Sequence, residues 1–317
     1  MPIIGRTPMT VAFTDGSSPA DEITYWLWDF GDGTTYEGQT PPAHPYDTDG
    51  IYTVTLSVAS AKGIDTFSDT VSVVNLLAGL VGYWHLDEVN GTRVAAVGPD
   101  LLEVGGAVPS AAGLFGNSIL GASEASASGL DATFAPVLDL STGLTLAFWI
   151  KWPAWSSGEP KAVVSIDSGS LAPPSIGIIR FYNTGFLSIG FSWVGDSVVI
   201  PTPYLGELTE DSWHLFVISY DPTTGELIVR FDQGCLADAV DWTALPLPAY
   251  RLSVIVPPAS LAAANSSTFS RIHLLSAWDA AYVSLEGQMD ELRIWSRVIE
   301  PELIEALWNN GAGYLQP

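Results

Sequence analysis

The chain has 317 residues, 35 acidic against 11 basic, for a net charge of −24. Phosphate backbones and anionic lipid surfaces are gripped through Lys and Arg, so this balance argues against nucleic acid and against an anionic membrane as partners. Only 15% of residues are charged while 47% are hydrophobic, and mean hydropathy is positive, which separates the chain from disordered acidic segments and suits large β-sheets.

At this length two domains are expected. Cys235 stands alone, so no internal disulfide can form and nothing demands an oxidising compartment. The opening "MPIIGRTPMTVAF" lacks a basic stretch followed by an apolar run, so no signal peptide is read there. No window approaches the roughly 18 uninterrupted apolar residues of a membrane span. The expectation is a soluble protein, intracellular at synthesis or exported by an unusual route.

Taken in chain order, residues 8–74 read as short strands. "MTVAFTD", "IYTVTLSVAS" and "DTFSDTVSVV" alternate with period two, the pattern of half-buried strands. "FGDGTT" and "DTDGIY" carry Asp-Gly turns, and the prolines of "TPPAHPY" predict a loop. Strands of this length and spacing predict a small β-sandwich.

Within it, "WLWDFGDG" (26–33) sets bulky rings against a tight acidic corner. A phosphate-binding loop fits poorly, because no Lys follows and no helix opens after the glycines. Alternation instead sends Trp28 and Phe30 to one face as core, and leaves Asp29 and Asp32 to hydrogen-bond the backbone of the turn. Calcium at Asp29 or Asp32 is the lesser alternative.

"NLLAGL" (75–80) reads as a connector. Beyond it the clearest strands are "LTLAFWIKW" (144–152), "SIGIIRFY" (175–182), "FLSIGFSWV" (186–194), "WHLFVISY" (213–220), "ELIVRFD" (226–232), "YRLSVIV" (250–256) and "MDELRIWS" (289–296). "DPTTG" predicts a hairpin turn, and "GASEASASG" (121–129) a surface loop. Strands apolar on both faces, such as "LTLAFWI", belong inside a two-layer sandwich. One helix is signalled in "EPELIEALWNNGAG": Pro301 in its first turn, Glu302 at its positive end, an apolar stripe of Leu303, Ile304, Leu307 and Trp308, and Gly311 as the stop. The fold class is all-β: a small Ig-like sandwich over 1–75, then a larger antiparallel jelly-roll sandwich over 80–317 with one short C-terminal helix.

Two resemblances sharpen this. Trp28, Asp29, Phe30, Gly31, Asp32 and Gly33, followed by His44, Tyr46, Gly50, Tyr52, Val54 and Leu56, resemble the signature of the polycystic-kidney-disease-type (PKD) domain. That resemblance implies an immunoglobulin-like sandwich serving as a spacer or interaction module. From about residue 80, "LVGYWHLDEVNGT", "LDLSTGLTLAFWIKW", "DSWHLFVISYDPTTGELIVRFDQG" and "GQMDELRIWSRVIEPELIEALWNNG" resemble, in order, four segments of the laminin-G-like branch of the concanavalin-A-like lectin/glucanase jelly rolls. "AAVG" (95–98) and Asp232-Gln233-Gly234 depart from that pattern.

Glycanases of this fold need carboxylates alternating onto one face of a strand, and no Glu-x-Asp-x-Glu run is present. His44, His85, His214 and His273 lie far apart without metal-ligand spacing, and no Gly-x-Ser-x-Gly elbow exists. His85 and His214 are expected to be packed, hydrogen-bonded strand residues. The jelly-roll resemblance implies one structural calcium between opening and closing strands, at Asp87 and Asp290, completed by main-chain carbonyls and water. The competing reading makes both exposed strand-end acids. For sugar stacking the candidates are Trp152 and Trp155, with Trp193 and Trp242 weaker; the competing reading packs these rings into the sandwich or against a partner.

These features predict a non-enzymatic structural or adhesive protein. The favoured setting is the surface of a bacteriophage virion, as a capsid decoration, head-fibre or tail-associated protein. The reason is that two surface-type modules occupy a chain beginning with Met and carrying no export signal. Its partners would be other virion proteins or itself as an oligomer, and host-surface glycans. A secreted bacterial carbohydrate-binding or adhesion protein is the alternative, and a glycoside hydrolase ranks third.

Overall fold

Period-two alternation decides the first sheet. In the computed structural model, Ile3–Arg6, Gly63–Val74, Gly50–Ser60, Ile23–Asp29 and Thr35–Glu37 lie side by side in that order. The structure describes residues 3–121, 128–151, 161–168, 175–181, 186–193, 196–201, 211–232, 249–255, 268–275, 283–284 and 287–308. The chain divides into two units, Met1–Ala78 and Gly79–Gln316.

In the first unit, Met9–Val11 pairs with His44–Tyr46 in a separate two-stranded ribbon. The loop expected for "TPPAHPY" is present over 40–43, and the correction concerns its end, His44–Tyr46, which is strand. Pro45 stands opposite Thr10, and a proline is tolerated where one side of its strand has no ladder to complete. Between ribbon and sheet lie Val11, Trp28, Phe30, Tyr46, Val54, Leu56, Val71 and Val73. The rings satisfy their polar atoms inside this small core: Trp28 Nε1 donates to the Gly38 carbonyl and the Tyr46 hydroxyl to that of Phe30. The Phe30 ring stacks on His44 with centroids 3.9 Å apart.

The acidic corner is architectural. Asp29 Oδ1 accepts from the Gly31 amide, and Asp32 Oδ1 from the Thr34 amide and hydroxyl. Asp32 Oδ2 meets His44 Nε2 at 2.8 Å. Burial alone would raise the Asp32 carboxyl, but its bonds from Thr34 and His44 outweigh that and hold it below the usual carboxylate range. Gly31 has φ +78°, and a Cβ there would lie 2.6 Å from the Thr53 carbonyl oxygen. Only glycine lets the turn close onto the neighbouring strand.

The second unit is a two-layer sandwich. One sheet runs Ser110–Ala112, Asn117–Leu120, Gln288–Trp295, Leu144–Lys151, His214–Asp221, Glu226–Asp232, Ala249–Ile255, with Leu80–Trp84 also on Gln288–Trp295. The other runs Asp196–Pro201, Phe186–Trp193, Ser175–Phe181, Lys161–Asp167, Thr268–Leu274, Gly129–Asp139, Leu102–Val104, with Val283–Ser284 parallel to Lys161–Asp167.

The core contains Trp84, Leu146, Phe148, Ile166, Ile218, Val229, Ile272 and Ile294. "LTLAFWI" is buried at every position from Leu144 to Ile150, as a strand apolar on both faces requires. The turn at Asp221–Gly225 is made as expected, the Gly225 amide donating to the Asp221 carbonyl. A single described α-helix, Pro301–Trp308, buries Leu303, Ile304 and Leu307; Gly311 lies outside the described residues, as does most of "GASEASASG". Substituting Gly31→Ala is expected to cost about 2 kcal/mol or more, and Gly33→Ala, whose added Cβ meets open space, about 1 kcal/mol. Amide exchange across Gly50–Ser60 under mild urea measures both.

Candidate functional site

The strand Gln288–Trp295 collects most of the chemistry of the second unit. It pairs with Leu144–Lys151, Asn117–Leu120 and Leu80–Trp84. Its register on Leu144–Lys151 shifts between Ala147↔Arg293 and Trp149↔Asp290, so Glu291 and Leu292 together oppose Phe148. This is a β-bulge, and Glu291 takes φ +54° to make it. The extra residue lets Met289, Leu292 and Ile294 all enter the core, while Asp290 and Glu291 stand adjacent between them.

Asp290 is fully buried. Its Oδ2 accepts from the Leu114 and Phe115 amides at 2.8 and 3.0 Å. Asp87 approaches the same turn, its Oδ1 accepting from the Asn117 amide and its carbonyl from Asn117 Nδ2. Two glycines make room. A Cβ on Gly116 would fall 2.2 Å from Asp87 Oδ1, and one on Gly113 2.7 Å from Asp290 Oδ2. The tertiary structure thus brings both predicted metal ligands to one turn, and Asp290 is an interior acid, not an exposed strand end.

Asp290 Oδ1 is buried with no hydrogen-bond partner among the described residues. Burial, with the charges of Glu291 and Asp87 adding to it, pushes the carboxyl up to about 8 against the pull of the two amides. An orphaned carboxylate oxygen beside two further acids is a place that takes either a proton or a cation. A hard divalent ion with oxygen ligands fits that donor set. No cluster of three or more His, Cys, Asp or Glu side chains able to hold a metal occurs among the described residues, so the remaining ligands would have to be carbonyls and water.

Beside it, Glu291 anchors a buried network. Its Oε2 accepts from the Tyr83 hydroxyl at 2.7 Å and from Arg293 Nη2 at 2.6 Å, and its Oε1 meets His85 Nδ1 at 2.8 Å. Arg293 also donates to the Tyr83 hydroxyl and lies 4.2 Å from its ring centroid. Burial first, then the Glu291 charge, raise the Tyr83 phenol, with Arg293 opposing. These bonds fasten the opening strand to the closing strand. His85 follows the Leu80–Trp84 strand, half-buried; His214 is buried within its strand.

A third polar group lies on the other sheet. Leu130, Val164, Ile166, Ile272 and Leu274 enter the core, so alternation turns Asp131, Asp167, Arg271 and His273 to the opposite face. His273 Nδ1 meets Asp131 at 2.5 Å and Nε2 meets Asp167 at 2.7 Å, while Arg271 Nη2 pairs with Asp131 at 2.9 Å. Burial alone would lower the His273 pKa. The two carboxylates more than reverse it and push it up to about 9.

The sequence did not single out these two networks. Period two foretells that His273 and Arg271 share a face, but which carboxylates meet them depends on strand neighbours more than 100 residues away. Of the stacking candidates, Trp152, Trp155 and Trp242 lie outside the described residues. Trp193 ends the strand Phe186–Trp193, and its side chain lies outside them too.

Comparison with known proteins gives two separate likenesses. Residues 4–74 match the family model described as PKD domain. The same end of the comparison includes a microbial collagenase of Vibrio alginolyticus, 36% identical over 77 residues, and collagenase ColQ1 of Bacillus cereus (strain Q1), 42% identical over 62. These alignments cover 24% and 19% of this chain but only 9% and 6% of the collagenases.

Among solved structures, the chain is similar to botulinum neurotoxin type C, described for cell entry dependent on two ganglioside molecules, with TM-score 0.53 and 14% identity over 74% of this chain and 52% of that one. The serotype D binding domain gives TM-score 0.54 and 11% identity over 73% and 52%. A share this large exceeds the first unit, so the likeness includes the second sandwich, and at such identities it is one of fold. The chain spans about half the length of those toxin chains.

The His273 geometry carries a pH dependence. A proton bound more tightly in the folded state stabilises fully below the ordinary histidine value of 6.5, and that stabilisation drains away as pH climbs through about 9. Urea unfolding should show wild type losing roughly 3 kcal/mol over that window relative to His273→Gln. Parallel pH profiles for the two proteins would contradict the charged bridge.

Proposed function

We propose that this protein is a non-catalytic binding protein whose second sandwich contacts surface glycans and whose first unit is an interaction module. The observation that carries the reading is the likeness of fold to toxin binding domains, one described for its dependence on gangliosides and another as a complex with SialylT. Within the all-β class we read the second unit as a laminin-G-like jelly roll. The facing sheets, the closing strand and the helix packed after it support that assignment. Trp152, Trp155 and Trp193 are the rings proposed for stacking on sugar, since the C–H face of a pyranose lies flat on an aromatic system.

One calcium ion is proposed at Asp87 and Asp290. The buried, unpartnered Asp290 Oδ1 supports it, because a cation there would neutralise crowded acids and fasten the turn 113–117 to the closing strand. The narrower setting we propose is the surface of a bacteriophage particle, where two contact modules in tandem suit a display protein with virion proteins as neighbours. The second reading, a bacterial adhesion module, is favoured by the bacterial collagenases that carry the similar first-unit segment.

A glycan array including gangliosides is expected to show binding by the full chain that Trp152→Ala and Trp155→Ala weaken tenfold or more; no binding to any glycan would sink the glycan reading. Mass spectrometry of purified phage particles decides the setting independently. For the cation, calcorimetric unfolding should shift upward with calcium, by about 2.7 kcal/mol at a hundredfold excess over Kd. EDTA should reverse the shift and Asp290→Asn should abolish it.

A further inference from the structure

The first unit leaves one β-edge open above an apolar groove. Gly63–Val74 pairs with Gly50–Ser60 along its whole length, from Gly50↔Val73 to Ser60↔Gly63. On its other side, Ile3–Arg6 covers only Val71–Val74. Gly63–Thr70 therefore has no strand partner on that side among the described residues, and Gly63–Asp69 is exposed throughout.

Two apolar side chains stand out on this stretch: Ile64 is 77% and Phe67 69% exposed. Asp65, Phe67 and Asp69 share the parity of the buried Val71 and Val73, so they project on the core side of the sheet. There a groove of about 730 Å³ opens, lined by Phe13, Ile23, Trp28, Leu56, Val58 and Phe67 among others.

The edge also shows how it is held closed. The amides of Thr66 and Thr70 are not used by Gly50–Ser60; each donates to the carboxylate of the residue before it, Asp65 Oδ1 at 2.9 Å and Asp69 Oδ1 at 2.8 Å. Free edges template pairing with other chains, and charged side chains on them are the usual guard. Here the guard is reversible in chemistry. A basic side chain that takes an aspartate releases the amide behind it. The nearby cation, Lys62, is already paired with Glu22 at 2.5 Å, so the charge offered along the edge is negative.

We propose that Gly63–Thr70 is a docking edge for an extended segment of a partner protein that carries basic, apolar and basic side chains at every second position, all on one face. Its basic residues pair with Asp65 and Asp69, its backbone takes the released amides as an added strand, and an apolar side chain enters the groove beside Phe67. Main-chain bonds give such strand addition its affinity, and alternate side chains its specificity. The proposal rests on the first unit alone and is independent of any glycan contact by the second.

The test uses the full chain and the peptides Thr-Lys-Thr-Val-Thr-Lys-Thr and Thr-Glu-Thr-Val-Thr-Glu-Thr in a calorimetric titration. The basic peptide is expected to bind and the acidic one to fail. Asp65→Asn with Asp69→Asn, and separately Thr66→Pro, should each weaken binding at least tenfold. Thr66→Pro leaves net charge unchanged, so its effect reads backbone pairing and not attraction to an acidic surface. Amide exchange on the wild-type protein should show the Thr66 and Ser68 region slowed by the basic peptide alone. Equal binding by all variants, no binding at millimolar peptide, or self-association of the chain through this edge in sedimentation would overturn the proposal.

Discussion

The second sandwich depends on a single extra residue. Without the bulge at Glu291–Leu292, strict alternation along Gln288–Trp295 could not send Met289, Leu292 and Ile294 all inward, because the distance from 289 to 292 has the wrong parity. The same bulge sets Asp290 and Glu291 side by side. Asp290 turns to the 113–116 turn, and Glu291 to Tyr83, His85 and Arg293. Segments far apart in the chain are thereby fixed at one place: an opening strand, a hairpin and the closing strand.

Charge in this protein is arranged in compensated groups where it is buried. Glu291 is matched by Arg293, and Asp131 and Asp167 by His273 and Arg271. Removing one partner from such a group leaves an uncompensated charge out of water, which is costlier than the intact group is stabilising. Asp290 differs from them: its neighbours of like sign are Glu291 and Asp87, and the cationic side chains go to others. That asymmetry is what gives the Asp87–Asp290 turn its interest as a cation site.

The two units handle edges and faces differently. The second encloses its core between two wide sheets, and its helix covers part of the apolar surface with Leu303, Ile304 and Leu307. The first has one full sheet faced by only a two-stranded ribbon, so part of its apolar side opens as a groove. Trp28 and Phe30 compensate with large rings close to the turn, which is why the bulky cluster and the tight acidic corner occur together.

Much of the fold was legible in the chain because it follows from local rules. Alternation and apolar runs marked strands such as Gly50–Ser60, Leu144–Lys151 and Gln288–Trp295 but not Gly129–Asp139, Lys161–Asp167 or Thr268–Leu274, whereas Asp-Gly marked tight turns and Pro301 with its apolar stripe marked the helix. The inward face of Trp28 and Phe30 could be read from alternation, and the turn bonds of Asp29 and Asp32 from spacing, since partners two residues apart need no tertiary information. His44–Tyr46 was misread for the opposite reason: proline content reports backbone preference, while the ribbon is held by a strand more than thirty residues away. Only the tertiary structure decided that Asp290 is buried beside Asp87, that Glu291 bulges, and that His273 sits between two carboxylates. Each of these depends on which strands become neighbours, and long-range register is set by the packing of the whole core, not by any stretch of sequence.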